Sequence, residues 1–257
     1  MEREEIIDSI KSLFFIILFA LINVFIPFLS IFVFFLWPLP VVYMYIKHGM
    51  KYTIRIIIIA ALFNGLLISP FLGLLTIIGI GFIGFIIGGC LKEDLSPFKT
   101  LLSSIGVVLI SQTIIILMFH YILGFNFNIL VNEINQVIQQ TPELSQYETL
   151  IKFQLQMIKQ VYPALIIISS IFTGTIHYYL SVWYLNKKDF NFESFLPVRF
   201  WRFPRWIISV GIVITLIFKT NIFFNNLNIL LFFLAFIQGL SVGLFYIYNR
   251  NGSKILR

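Results

Sequence analysis

The side chains of this sequence that could carry acid–base or metal chemistry are few and scattered. Its 257 residues contain three histidines and one cysteine, Cys90. His48, His120 and His177 lie in three different segments, and none has a second histidine, a cysteine or a carboxylate at metal-ligand spacing. The sequence also contains no glycine-rich phosphate loop and no arguable Ser–His–Asp set. It therefore predicts a protein that is not an enzyme and that has no metal and no cofactor.

Uncharged polar side chains within the apolar segments are better candidates for binding. Four of them are predicted to lie between mid-membrane and the outer face: Asn64, Gln112, His120 and Gln238. A buried amide or imidazole in lipid must find a hydrogen-bond partner, so each side chain faces protein or a cavity. Together these residues predict a ligand pocket for a neutral small molecule. The alternative for each one is a helix-to-helix hydrogen bond.

The elements that carry these residues are predicted from composition to be membrane helices. Charged residues make up only 11% of the chain, compared with roughly 25% in soluble domains, which leaves too little polar surface to face water. The uncharged gaps between charged clusters are 12–46, 56–91, 100–132, 160–186, 206–218 and 220–249. The first two are long enough for two crossings each. Prolines break them, at Pro27, Pro38 and Pro40 in the first and at Pro70 in the second.

These gaps predict an all-α fold: a polytopic transmembrane helical bundle of about eight spans with an exterior amphipathic helical hairpin. The whole chain, 1–257, is expected to form a single integral membrane domain. The predicted spans are 12–30, 32–46, 52–68, 71–91, 100–123, 158–185, 206–224 and 227–249. The second is short, and the seventh reaches membrane length only if Lys219 extends its ammonium group toward the headgroups.

The distribution of cationic residues predicts the orientation. With eight spans and a cytoplasmic N-terminus, 15 of the 18 Lys and Arg residues lie inside, as the positive-inside rule requires. The acidic start, MEREEIIDSI, is unlike a secretory signal. We expect a multi-pass protein of the bacterial cytoplasmic (inner) membrane with both termini in the cytoplasm. Its net charge of +7 is expected to contact anionic inner-leaflet lipids and not nucleic acid.

One exterior segment, 124–157, is long enough to have structure of its own. Apolar residues between Ile129 and Ile138 recur at helical spacing, and Thr141-Pro142-Glu143 is typical of the start of a second helix. We expect this second helix to continue into the sixth span and to bend at Pro163. The pattern predicts an amphipathic hairpin that lies on the lipid surface or, alternatively, covers an outward-facing cavity.

The stretch FWRFPRW, 200–206, combines aromatic rings with arginines at the end of the predicted cytoplasmic loop 186–205. Its interface candidates are Trp201, Arg202, Arg205 and Trp206. Tryptophan anchors proteins at the bilayer boundary, and arginines three residues apart reach phosphate headgroups on one side. The stretch therefore predicts interfacial anchoring. Docking of a protein partner is the alternative.

Glycines mark two helix faces. Gly81, Gly84 and Gly88 recur at i, i+3 and i+7 in the fourth span, and Gly239 and Gly243 form a GxxxG pair in the eighth. Such faces let helices approach closely in lipid. They predict helix packing, with a hinge or a substrate path as the alternative.

Five segments resemble a known family in their order and spacing. They are PLPVVYMYIKHGMKYTIRI (38–56), GIGFIGFIIGGCLK (79–92), YPALIIISSIF (162–172), FWRFPRWI (200–207) and IQGLSVGLFYI (237–247). On these segments the chain resembles the YybS-like family of predicted bacterial multi-pass membrane proteins, a family of unknown function. The resemblance implies a helical inner-membrane protein and supplies no catalytic residue.

Such proteins look distantly similar to the substrate-binding subunits of energy-coupling-factor transporters. That similarity implies binding of vitamins or metals without ion coupling, which suits spans that contain no charge at mid-depth. Those subunits often dock through an Ala-x-x-x-Ala face on the first helix, whereas the first span here has one alanine, Ala20. The sequence favours a small-molecule-binding, transport-related subunit without intrinsic ion coupling, which has a membrane protein partner. The alternative is a structural or scaffolding protein of the cell envelope.

Overall fold

The structure is a computed structural model that describes residues 2–141, 146–204, 206, 209–211, 213, 217 and 222–249. Within these ranges the chain consists of helices joined by turns and irregular segments, of which 190–197 is the longest, and contains no strand, so the predicted all-α class is confirmed. The helices are α1 (Glu2–Phe25), α2 (Pro27–Leu36), α3 (Leu39–His48), α4 (Met50–Leu67), α5 (Pro70–Leu75), α6 (Phe82–Lys92), α7 (Pro97–Ile122), α8 (Phe127–Gln140), α9 (Glu148–Asn186) and α10 (Ile222–Asn249). A π-helical turn, Thr76–Gly81, joins α5 to α6.

Six stretches of the described chain are long and apolar enough to cross a bilayer. They are Pro27–His48, Met50–Leu67, Pro70–Lys92, Pro97–Ile122, Glu148–Asn186 and Ile222–Asn249. The membrane class is therefore confirmed. α1, which contains most of the predicted first span, is not one of these six, and the predicted seventh span, 206–224, lies largely outside the described residues, so the count of eight stays a prediction.

The prolines of the first gap begin helices instead of dividing spans. We predicted a break between residues 30 and 32, but α1 ends at Phe25 and α2 starts at Pro27. A proline in the first helical turn costs no hydrogen bond, because the amide there has no partner within the helix. Pro40 occupies the first turn of α3 in the same way. The predicted boundaries 12–30 and 32–46 are therefore wrong, and α2 and α3 together make the single stretch Pro27–His48.

Two short connections reverse the chain as the sequence predicted. Gly49 alone joins α3 to α4 with a φ of 83° and a ψ of −179°, a conformation essentially restricted to glycine. The predicted break at Ser69-Pro70 is confirmed, since α4 ends at Leu67 and α5 begins at Pro70. The Ser69 hydroxyl accepts a hydrogen bond from the Leu72 amide and so caps α5.

The chain forms two compact units, of which the first comprises Met1–Met118 and Ser169–Phe195. Its apolar core includes Ile16 and Ala20 of α1, which are almost fully buried. The Trp37 indole nitrogen donates to the Ile16 carbonyl oxygen over 3.0 Å, and this bond fastens the end of α2 to α1. Because Ala20 lies in this core, it is not available as a docking face.

Glycines allow close approach of α6 to α3 in this unit. A Cβ at Gly84 would lie 2.6 Å from the Cβ of Val41, and one at Gly88 would lie 2.7 Å from the Cβ of Tyr45. Gly81, at the end of the π-helical turn, lies equally close to α4. Between helices in lipid, attraction depends on such van der Waals contacts, because burial of apolar surface gives little driving force.

The second unit comprises Phe119–Ile168 and Leu196–Arg257. The exterior segment contains α8, whose first amides are capped by the Asn126 side chain, and α8 buries Ile138. Thr141 ends α8 in an extended conformation, and Pro142 and Glu143 of the predicted helix start lie outside the described residues. As predicted, one continuous helix, α9, runs from the exterior segment through Pro163 into the sixth predicted span.

Candidate functional site

Asn64 and Gln112, two of the four predicted ligand residues, belong to the first unit and bond other helices there. The Asn64 amide nitrogen donates to the Thr76 hydroxyl over 2.9 Å, and its oxygen has no partner among the described residues. The Gln112 amide oxygen accepts from the Ser169 and Ser170 hydroxyls at 3.0 and 2.8 Å. Both side chains therefore hold helices together in the way the alternative interpretation describes.

His120 and Gln238, the other two predicted ligand residues, bond backbone groups in the second unit. His120 Nδ1 lies 3.1 Å from the Phe125 carbonyl oxygen, and the ring is exposed. The Gln238 amide oxygen accepts from the Phe203 amide over 2.8 Å. A pocket lined by the four residues together stays a prediction.

The bond from Phe203 is one of several that fix the predicted interface segment on α10. Trp201 donates its indole N–H to the Leu196 carbonyl oxygen and accepts at its own carbonyl oxygen from the Ser241 hydroxyl, both over 2.8 Å. Arg202 is exposed and Trp206 is 67% exposed, whereas Arg205 lies outside the described residues. The segment is thus an ordered loop whose outer side chains are free to reach lipid or a partner.

The glycine face predicted on the last span differs from the one on α6. A Cβ at Gly239 or Gly243 would meet no described atom within 4 Å. These two glycines therefore have no helix packed against them in the part of the chain that the structure describes. Whether this face packs against a partner stays a prediction.

A polar site with unusual backbone bonding lies at the proline of α9. Within a regular helix, the Ala164 amide would donate to the Gln160 carbonyl. Here the Asn226 side chain of α10 bonds both of these backbone groups. Its oxygen accepts from the Ala164 amide over 2.9 Å, and its nitrogen donates to the Gln160 carbonyl oxygen over 2.7 Å. Since Pro163 has no N–H, the Lys159 carbonyl one turn earlier also loses its helical donor.

A cavity of about 370 Å³ opens beside this proline. We call its lining together with Asn226 the Pro163 site: Gln156, Lys159, Gln160, Pro163, Ile222 and Asn226. The Lys159 ammonium group lies 5.8 Å from the ring centre of Phe127, the first residue of α8. No ion pair involves Lys159 among the described residues. The site therefore combines an unpaired cation, amide groups and an apolar wall.

The first unit contains a charged cluster that the sequence did not suggest. Asp8 Oδ2 lies 2.7 Å from Lys47 Nζ and 2.9 Å from His48 Nε2. Burial raises the pKa of Asp8, but the hydrogen bonds from Lys47 and His48 outweigh it and hold that pKa below its ordinary value of 3.8. An ionised carboxylate only accepts hydrogen bonds, so His48 donates its Nε2–H. The cluster fastens the start of α1 to the last turn of α3, where cations also complement the helix dipole.

Sequence patterns revealed one half of each of these sites. The sequence predicted a bend at Pro163, but Asn226, 63 residues later, was one polar residue among many in an apolar segment. Asp8 and His48 are likewise separated by 40 residues, so no local spacing connects them. A side-chain amide opposite a helix-interior proline is the signal that could have suggested Asn226.

The described helices, with their apolar spans, their hydrogen-bonded polar side chains and no metal-ligand cluster in the described part, define a multi-pass α-helical membrane protein. The chain belongs to the family described as predicted membrane protein (DUF2232), which matches residues 13–257. It is similar to the uncharacterized protein YybS of Bacillus subtilis (strain 168), with 23% identity over 95% of this chain and 84% of that protein. No solved structure matches the chain. The resemblance to the YybS-like family is confirmed. Neither the description of the family nor the name of this relative states a function.

Proposed function

We propose that this protein is a small-molecule-binding, transport-related membrane subunit without intrinsic ion coupling, and that its ligand binds at the Pro163 site. The observation that carries this proposal is the pair of hydrogen bonds from Asn226 to the backbone of Gln160 and Ala164, beside Pro163 and a cavity. In membranes, irregular backbone is tolerated where it is buried in protein or lines a cavity. Helices that are interrupted within the membrane form the substrate sites of many transporters, and a helix-interior proline with side-chain bonds to the backbone beside it is a milder irregularity.

The side chains of the site suit a small molecule with one anionic or strongly accepting group. Lys159 supplies the positive charge, and Gln156 and Gln160 supply amide donors and acceptors. Ile222 and the Pro163 ring supply an apolar wall. The cavity volume of about 370 Å³ falls within the range of small-molecule sites, roughly 300–1,000 Å³.

The contact of the exterior helix α8 with Lys159 supports a role for this helix as a cover over the ligand. Phe127 at its start contacts Lys159, so a ligand that pairs with the ammonium group would compete with the aromatic ring. This arrangement supports the interpretation of the exterior segment as a cover over an outward-facing cavity. The cation–aromatic contact is weak enough, about 0.5–1 kcal/mol at exposed sites, for a ligand to replace it.

The energy for transport would come from a partner. Proton- and sodium-coupled carriers usually contain an intramembrane carboxylate, and no Asp or Glu lies within the predicted spans. A coupling membrane subunit with its ATPases is the partner that this proposal requires.

A scaffolding role in the cell envelope is the second candidate. The observation that favours it is the use of Asn64, Gln112 and Gln238 in hydrogen bonds that hold protein segments together. In this interpretation the exposed Trp206 and Arg202 would contact envelope proteins.

The two functions are separated by what the full-length protein retains when it is purified in mild detergent from its own host. Small molecules extracted from the wild type would be compared by mass spectrometry with those from Lys159→Gln and from Ile222→Trp, which fills the cavity. Lys152→Gln is the matched control, because Lys152 pairs with Glu148 on the same helix outside the site.

We expect one compound class to be enriched in the wild type and the control and depleted in both site variants. Proteins that co-purify would be identified in the same preparation. A coupling subunit with ATPases is expected. Envelope-synthesis or division proteins, with no compound that depends on Lys159, would refute the transport proposal and favour scaffolding.

A further inference from the structure

The predicted cytoplasmic loop 186–205 contains an arginine, Arg199, that forms no ion pair among the described residues. The Arg199 guanidinium carbon lies 3.7 Å from the ring centre of Tyr248 and 4.9 Å from that of Phe200. Two aromatic rings therefore contact the guanidinium group, and its N–H groups are the donors that could bind an anion.

One of those donors is buried without a partner. Arg199 Nε has no hydrogen-bond acceptor among the described residues, and no carboxylate there forms an ion pair with this arginine. From residue 196 to residue 257 the sequence contains seven Lys and Arg residues and no Asp or Glu. A buried unpaired donor costs free energy, so a hydrogen-bond acceptor bound by Arg199 would stabilise this site.

Space for the anion lies beside the guanidinium group. A cavity of about 180 Å³ is lined by Pro197, Val198, Arg199, Leu244 and Tyr248. One side of the cavity is cationic and the others are apolar, which suits a charged group attached to a hydrocarbon or glycerol portion. We call these five residues the Arg199 site.

The position of the site along α10 indicates where the anion comes from. α10 has 28 residues, which corresponds to about 42 Å and exceeds the roughly 30 Å hydrocarbon core. Tyr248 is the penultimate residue of this helix and therefore lies at the level of the headgroups. Arginine is the preferred partner for phosphate, because its planar donors match two phosphate oxygens at once.

We propose that the Arg199 site binds a phosphate oxyanion, and that the headgroup of an anionic phospholipid supplies it. The site is a defined pocket for one phosphate group, whereas general interfacial anchoring would spread the interaction over all the arginines of the loop. This inference does not depend on the Pro163 site, whose ligand and lining residues are different.

The test measures the phospholipid retained by the full-length protein. Wild-type protein would be transferred from neutral detergent into nanodiscs of phosphatidylcholine with a minor fraction of phosphatidylglycerol. The protein would then be released from the nanodiscs, and the lipid that remains bound to it would be measured by native mass spectrometry. We expect Arg199→Gln to retain about tenfold less phosphatidylglycerol, the effect of losing a charged hydrogen bond. Arg202→Gln is the matched control, since Arg202 is exposed and does not line the cavity.

A second variant separates loss of binding from loss of folding. Leu244→Trp fills the cavity and keeps every charge, so it is expected to reduce retention as Arg199→Gln does. Melting temperatures in lipid-free neutral detergent would show that both variants are folded. If Arg199→Gln and Leu244→Trp retain as much phosphatidylglycerol as Arg202→Gln, the proposed site is refuted.

Competition identifies the source of the phosphate. Glycerol 3-phosphate and inorganic phosphate would be titrated against the wild type in neutral detergent. Retention of phosphatidylglycerol that resists millimolar competitor supports the lipid source. Arg199-dependent binding of the soluble phosphates, with no preference for phosphatidylglycerol, would keep the phosphate site and overturn the lipid assignment.

Discussion

Asn226 bonds two backbone groups of α9, donating to one of them and accepting from the other. A helix that contains proline in lipid must satisfy the groups that the ring leaves open, since no water is available there. The side-chain amide bonds the two backbone groups on either side of this turn, over 2.7 Å to the Gln160 carbonyl and 2.9 Å to the Ala164 amide. At the residue scale, this amide provides hydrogen-bond partners for the α9 backbone beside Pro163.

The first prediction follows from that bonding. Asn226→Ala is expected to lower the free energy of unfolding by about 1–3 kcal/mol, because it leaves an amide and a carbonyl without partners. In a Pro163→Ala background the loss should be much smaller, since the helix can reform its own bond between residues 160 and 164. Unfolding in mixed detergent measures all four members of the cycle. Equal losses in both backgrounds would contradict the proposed bridging role.

The second prediction compares two glycines. Gly84→Ala is expected to destabilise the protein by about 1–3 kcal/mol, because the added Cβ would overlap Val41 and the Pro38 carbonyl on α3. Gly239→Ala should change stability by less than about 0.5 kcal/mol, because no described atom lies within 4 Å of the added group. Thermal unfolding in detergent measures both. A large loss for Gly239→Ala would indicate a packing partner for that face.

At the scale of elements, the charged cluster of Asp8, Lys47 and His48 connects α1 with α3. Since these two helices are separated by α2, the cluster closes a loop of the chain within the first unit. The buried hydrogen bond from the Trp37 indole, at the end of α2, to the Ile16 carbonyl is a second connection to α1, and it lies in the apolar core. The pair of contacts indicates that α1 packs as an integral element and not as a loose terminal extension.

The pH dependence of this contact is the third prediction. The pKa of Asp8 is lowered in the folded state, so its stabilising effect is present above 3.8 and is lost as the pH falls through the folded value. Asp8→Asn should cost about 1.5–3 kcal/mol at pH 7 and should show a weaker loss of stability on acidification below 3.8 than the wild type. Parallel acid-unfolding curves for the two proteins would contradict the role of this carboxylate.

At the scale of the whole molecule, the number of crossings decides on which side each site lies. Six membrane-length stretches are described, and 206–224 is the predicted span that lies largely outside them. If α1 crosses as well, the exterior segment lies opposite the N-terminus, and if 206–224 also crosses, the C-terminus returns to the side of the N-terminus. The outward position of the Pro163 site depends on the same arrangement.

Cysteine labelling tests this as the fourth prediction. In a Cys90→Ser background, a membrane-impermeant maleimide should label Gln136→Cys in intact cells. Ser9→Cys and Ser253→Cys should react only after lysis, because both termini are expected inside. Labelling of Ser253→Cys in intact cells would show that 206–224 does not cross and would reduce the count of spans.

Much of the fold could be predicted because hydropathy and proline act locally. A chain with 11% charged residues has to be a membrane protein, and its uncharged gaps fix where most helices lie. The break at Ser69-Pro70 and the long helix through Pro163 followed from the same local rules. The first gap was placed wrongly, because a proline that starts a helix and one that ends a span look alike in sequence.

The partners of the polar groups were decided only by tertiary structure. The sequence determined that Asn64, Gln112 and Gln238 would need hydrogen bonds in lipid, but their partners lie 12, 57 or 58, and 35 residues away. Asn226 and Asp8 found their partners at similar separations. Hydropathy is a property of each residue and can therefore be read from the sequence. A hydrogen bond requires two groups within about 3 Å, which only the packed helices provide.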